Sequence, residues 1–196
     1  MLKTIQKAIL LMTLGLSFFI SDAQVQFSAG LTYAKSIVKS PELKSDYGVG
    51  FATGVAYRET YKSFTFTGGL NFSNRNYTIE NPLLERKNYN DQYILFPILV
   101  GYNITDFLAV NGGFEFGYVI YSDFNEREYK DFTSAFLFGI EFLQNKTVSP
   151  FIRASYSPSG RLNYELFDDY GNSIGTTSDF KNFYILTGIN VYLHGK

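Results

Sequence analysis

Apolar and polar residues alternate along most of this chain, and the alternation has a period of two. It is clearest in Gln92–Tyr121, QYILFPILVGYNITDFLAVNGGFEFGYVIY. Ile94, Phe96, Ile98, Val100 and Tyr102 share one face of a first strand. After a polar turn at Asn103–Asp106, Leu108, Val110, Phe114, Phe116, Tyr118 and Ile120 share one face of a second. Ala109, Asn111, Gly113, Glu115 and Gly117 fall on its other face. Successive residues of a strand point to opposite sides, so this hairpin has one aromatic side and one side of small and polar residues.

The same pattern predicts strands over Gln24–Ala34, Asp46–Arg58, Ser63–Asn76, Phe132–Leu143, Ser149–Ser157 and Asn182–Leu193, although both faces of the last are apolar. With the hairpin, that makes eight strands. The seventh, Ser149–Ser157, is marginal in length for a membrane crossing. The predicted connections alternate in length. Lys35–Ser45, Tyr77–Asn90, Ser122–Asp131 and Pro158–Lys181 are long; Glu59–Lys62, Asn103–Asp106 and Gln144–Val148 are short. Short turns at one end and long loops at the other mark the up-and-down barrels of outer membranes.

Charge placement separates a membrane barrel from a secreted soluble one. A soluble barrel needs Lys, Glu and Asp on its outer face. Here the strand interiors hold few charges: Arg58, Arg75, Glu115, Glu141 and Arg153. The face of Gly, Ala, Ser, Thr and Asn suits a narrow lumen, and the aromatic face suits lipid. The expected fold is therefore an all-β, eight-stranded antiparallel up-and-down transmembrane β-barrel, integral to a bacterial outer membrane. Tyr33, Tyr47, Tyr57, Tyr102 and Tyr118, near strand ends, are candidates for the interfacial aromatic girdle.

The N-terminus agrees with export. Lys3 and Lys7 precede an apolar run, Ala8–Ile20, followed by Ser21-Asp22-Ala23. This reads as a signal peptide over residues 1–23, cleaved after Ala23, with the barrel over 24–196. Both termini of the mature chain are then expected in the periplasm. The remaining composition mainly excludes. Seventeen Lys and Arg against 18 Asp and Glu leave no basic footprint for nucleic acid. The absence of cysteine excludes disulfides, a thiolate metal site and a lipid-anchored Cys.

Three motifs carry a family resemblance. Tyr93–Tyr102 (YILFPILVGY) has a Pro between apolar residues, Ala109–Tyr118 (AVNGGFEFGY) is Gly-rich and aromatic, and Ile152–Leu162 (IRASYSPSGRL) leads into a Gly-containing loop. In these the chain resembles the small outer-membrane barrels of Bacteroidota, the PorT-like and general outer membrane protein β-barrel domain group. It departs from their pattern at Leu95, where an acidic residue is frequent, and at Gly101, where Lys is. PorT resembles a part of a protein-secretion and gliding machinery, a role that the short loops here do not show.

Glu115, Glu141 and Arg153 lie on three consecutive strands and face inward. The reading is a structural lumen network centred on Arg153, with Glu115 and Arg153 on either side of Gly139 and Glu141 one step nearer the periplasm. A buried charge must be paired, and an eight-strand lumen leaves little room for a solute path. His194 is the only histidine and no Cys joins it, which argues against a zinc site or a His-based triad. Ser122, Ser157 and Ser159 therefore lack the base that a lipid-modifying enzyme would need. Asp168, Asp169 and Asn172 around Gly171 could ligate calcium, but turn chemistry accounts for them. Gly188, Val191 and Leu193 loosely fit a terminal barrel-assembly signal. No cofactor or metal is expected. The expected partners are outer-membrane lipids and other outer-membrane proteins. The leading functional reading is a non-enzymatic structural or interaction protein; a small-solute or ion pore is the alternative, and a lipid-modifying enzyme comes third.

Overall fold

The computed structural model describes residues 24–38, 44–81, 84–123, 131–143, 146–167 and 173–193. Residues 1–23, which include the proposed signal peptide, lie outside that set, as do Asp168, Asp169, Gly171, Asn172 and His194. Eight strands among the described residues are β1 (Gln24–Ile37), β2 (Lys44–Tyr61), β3 (Phe64–Asn81), β4 (Leu84–Thr105), β5 (Leu108–Ser122), β6 (Phe132–Phe142), β7 (Val148–Phe167) and β8 (Ser173–Leu193). Each pairs antiparallel with the next, and β8 pairs back onto β1 to close the ring. Closure gives every strand two partners, as the hydrocarbon interior of a membrane requires.

The faces follow the alternation. Phe27, Leu31, Phe51, Phe66, Ile98, Phe114, Phe138 and Ile152 are outward and exposed. So many large apolar side chains on one continuous wall would not be tolerated in water. On β3 the apolar run extends from Phe64 to Phe72 and then gives way to Asn74 and Asn76; on β4 it extends from Ile94 to Ile104. Both runs match the roughly 9–11 residues that a tilted strand needs to cross. Tyr57 and Tyr102 point outward near the short-turn end, and Tyr33, Tyr47 and Tyr118 point outward toward the other.

Strand lengths correct the sequence reading. Tyr77–Asn90 and Pro158–Lys181, expected as long loops, are mostly strand. The β3–β4 ladder continues through Tyr77↔Tyr89 to Ile79↔Lys87, and the β7–β8 ladder through Leu162↔Asp179 to Leu166↔Gly175. Lys35–Ser45 is likewise partly strand, with β1 running to Ile37 and β2 starting at Lys44. The backbone ladder does not need apolar side chains once it is clear of lipid, so polar composition concealed these extensions. The seventh strand, read as marginal, has 20 residues; the shortest is β6, with 11.

The lumen also departs from the expected lining of small residues. Tyr93, Leu95, Leu99, Leu137, Phe151, Tyr184, Leu186 and Tyr192 all point inward and are buried. Phe151, Tyr184 and Leu186 form one apolar cluster with Ala34 and Ala52 of β1 and β2. This explains the ambiguous last strand: β8 is apolar on both faces because its inner face fills the lumen.

Candidate functional site: the lumen network

Two clusters of charge cross the lumen at different heights. In the cluster nearer the short turns, Arg58 of β2 and Glu141 of β6 meet across the barrel, Nη1 to Oε1 at 2.6 Å. The Ser149 hydroxyl donates to the same carboxylate oxygen at 2.9 Å. The Tyr192 hydroxyl bonds both Glu141 and Arg58, and the guanidinium lies 5.0 Å from the Tyr192 ring centroid.

In the second cluster Arg75 of β3 reaches Glu115 of β5, Nη2 to Oε1 at 3.3 Å. The Tyr184 hydroxyl lies 2.8 and 2.7 Å from the two oxygens of Glu115. The Arg75 guanidinium sits between two rings, 3.7 Å from the Tyr184 centroid and 4.5 Å from that of Tyr93. Asp91, opposite Arg75 in the ladder, is fully buried. It accepts hydrogen bonds from Tyr93 at 3.2 Å and Ser122 at 2.6 Å. Asn182 donates to Tyr93 at 3.2 Å, tying β8 into the same cluster.

Strand geometry brings these groups together. The alternation aims Arg58, Arg75, Glu115, Glu141, Tyr184 and Tyr192 into one narrow space. A charge buried there is tolerated only with a partner and hydrogen bonds. Both glutamates have them, but not from Arg153. Arg153 is buried, with its guanidinium 4.4 Å from the Phe151 ring. Among the described residues it forms no ion pair, and its Nε has no hydrogen-bond partner.

The expected Arg153-centred network is thus replaced by two pairs made by Arg58 and Arg75. The error was one of register. Gly139 separates Arg153 from Asn111, not from Glu115, and Glu115 pairs with Ala135. Both arginines that do pair were visible as strand-interior charges. Tyr184, Tyr192 and Asp91 were missed, although the two-residue parity of β8 places both tyrosines on the face of Asn182 and Asn190.

Chemically the arrangement holds charge in place. Ser122 bonds Asp91, and Ser157 bonds the Ser134 carbonyl at 2.8 Å and Ser159, so these serines have structural partners. Among the described residues no group of three or more His, Cys, Asp or Glu could hold a metal. A closed ring of eight tilted strands, lipid-facing outside and ion-paired inside, defines a small outer-membrane β-barrel. The chain belongs to the outer membrane protein beta-barrel domain family, whose model matches residues 13–194.

Two solved structures with a TM-score of 0.50 agree on the fold. Ail, the attachment invasion locus protein of Yersinia pestis, in complex with the heparin analogue sucrose octasulfate, matches with a TM-score of 0.50. The identity is 14%, over 88% of this chain and 100% of that one. Neisserial surface protein A also matches at 0.50, with 10% identity over 87% of this chain and 99% of that one. OprG from Pseudomonas aeruginosa matches at 0.48 and 9%, covering 89% and 96%. A search of curated protein sequences finds no significant match. Family and fold place the protein as integral to the outer membrane.

Proposed function

We propose that this protein is a non-enzymatic, non-conducting outer-membrane barrel that acts through its surfaces, as an interaction partner or accessory subunit of a larger outer-membrane machine. The observation that carries this reading is the filled lumen, in which two Arg–Glu–Tyr clusters and a buried apolar cluster leave the inside of the barrel committed to its own packing. Function then falls to the lipid-facing wall and the long-strand end. Short turns at one end support an orientation with both termini periplasmic and the extended β3–β4 and β7–β8 hairpins outside. The PorT-like motifs Tyr93–Tyr102 and Ala109–Tyr118 support a place among the Bacteroidota barrels and, with it, a secretion or assembly machine as partner. Glu115 and Glu141, with Arg58 and Arg75, serve as structural ties, Arg153 as lumen filling, and the five tyrosines as membrane anchors.

The test is a tagged pull-down from native outer membranes in mild detergent, read by mass spectrometry. Stoichiometric co-elution of one outer-membrane complex is the expected result, and it should weaken when outward aromatic residues such as Phe138 are replaced. Elution of the barrel alone at every detergent strength would contradict the accessory role. The pore alternative requires ion conduction, which the same purified protein would report in planar bilayers.

A further inference from the structure

The barrel wall is not closed all the way up. The β1–β2 ladder ends at Ala34↔Gly48, yet β1 continues along β8 to Ile37↔Lys181 and β2 continues along β3 to Lys44↔Glu80. Each strand stays with its other neighbour while the two part from each other. The cause lies in β2. Its register against β3 shifts between Tyr47 and Phe51, and Gly48 and Gly50 lie so close to the Asn76 and Asn74 backbones that a Cβ at either would collide. Asn76 Nδ2 donates to the Val49 carbonyl at 2.6 Å. Glycine at these two positions lets β2 lean onto β3 and away from β1.

The parting leaves a cleft of about 600 Å³ between the two strand ends. Ile37, Tyr47 and Phe183 give it apolar walls, and Lys35 and Lys44 stand on its two sides. The Lys35 ammonium lies 5.3 Å from the Tyr47 ring centroid. The Ser36 amide still donates to Ser45 Oγ at 3.2 Å. Ser36 is fully buried, and the alternation of β1 puts its side chain on the lumen face with Thr32 and Ala34. Asp46 is the acid of the cleft, and Arg86 bridges it at 3.4 Å; Glu80 is the cross-strand neighbour of Lys44. Among the described residues that line the cleft, two lysines thus stand with one carboxylate, and that carboxylate is already bridged by Arg86.

Height selects the occupant. Tyr33 and Tyr47 lie near the far end of the outward apolar run of β1 and β2, with Lys35 and Ile37 beyond the first and Asp46 and Lys44 beyond the second. Lysines just beyond outward-facing tyrosines stand at the level of the headgroups. Ammonium groups at a membrane surface attract anionic lipid. We propose that the β1–β2 cleft binds the headgroup of a phosphate-bearing lipid, with its phosphate between Lys35 and Lys44 and its chains along the Tyr47–Phe51 wall. The site is independent of the lumen and of any protein partner.

The experiment places the full chain in phosphatidylcholine nanodiscs doped with bisphosphorylated lipid A or its dephosphorylated form, and counts retained lipid by native mass spectrometry. The phosphorylated lipid should be retained and the dephosphorylated form lost. The double variant K35Q/K44Q should cut retention about tenfold, a change of about 1.4 kcal/mol. The control K62Q/K146Q, on exposed lysines at the opposite end, should retain lipid as the unaltered protein does. Heat-modifiable gel mobility checks that each variant is folded. Equal retention by K35Q/K44Q and the control would overturn the proposal. So would inorganic phosphate displacing the lipid at matched concentration, which would make the cleft a soluble-anion site.

Discussion

The two lumen clusters use the same residue types in different ways. The Arg58–Glu141 cluster is concentrated: one carboxylate oxygen of Glu141 receives Arg58, Ser149 and Tyr192. The Arg75–Glu115 cluster is distributed. Its direct contact is longer, both oxygens of Glu115 lie within reach of Tyr184, and Arg75 is held between ring faces with Asp91 alongside. A cation in a narrow lumen can thus be held by one oxygen or by a shell of rings and dispersed acid. The first arrangement is brittle to a single deletion and the second is graded.

The largest expected effect is therefore at Glu141. Glu141→Ala removes the ion-pair carboxylate of the buried Arg58 and should cost about 3–5 kcal/mol, read as a lowered urea midpoint for unfolding from lipid vesicles. The double variant R58M/E141L removes both charges and should recover most of that loss. A double variant as unstable as the single would show that the pair does more than satisfy its own charges. Glu115→Ala should cost less, because the ring faces of Tyr93 and Tyr184 remain to hold Arg75 by about 0.5–2 kcal/mol; equal losses at Glu115 and Glu141 would erase the distinction between the clusters. Tyr184→Phe keeps the ring and removes only the hydroxyl on Glu115, for about 1–3 kcal/mol in the same assay. The smallest effect is expected at Arg153. Making no ion pair within 4 Å among the described residues, it should tolerate Arg153→Met within about 1 kcal/mol or gain stability. A loss as large as that of Glu141→Ala would restore Arg153 to the centre of the network.

The sequence showed which way side chains point much better than what they meet. Parity alone placed Phe138 in lipid and Glu141 in the lumen, because pointing is a local property of a strand with period two. The partner of Glu141 is four strands away on β2, and no local pattern encodes the diameter and shear that bring Arg58 opposite it. Arg153 was chosen because it lies on the next strand. A long side chain in a narrow barrel does not obey that limit, since it can reach the far wall. The extensions beyond Asn76 and Ser157 were hidden for a related reason. Hydrophobicity reports lipid contact, whereas the ladder from Tyr77↔Tyr89 upward is held by backbone hydrogen bonds and by ring stacking at 5.7 Å. The β1–β2 cleft left no trace in the alternation, because it arises from a register shift between two strands.

The central claim is that the two clusters close the lumen, and single-channel recording tests it most directly. Purified barrel in planar bilayers should show no stable current steps in molar potassium chloride, and R58M/E141L should stay silent because its apolar side chains still fill the space. Regular steps from the unaltered protein, with an amplitude that changes on replacing Glu141 or Glu115, would contradict the account and establish the lumen as a pore.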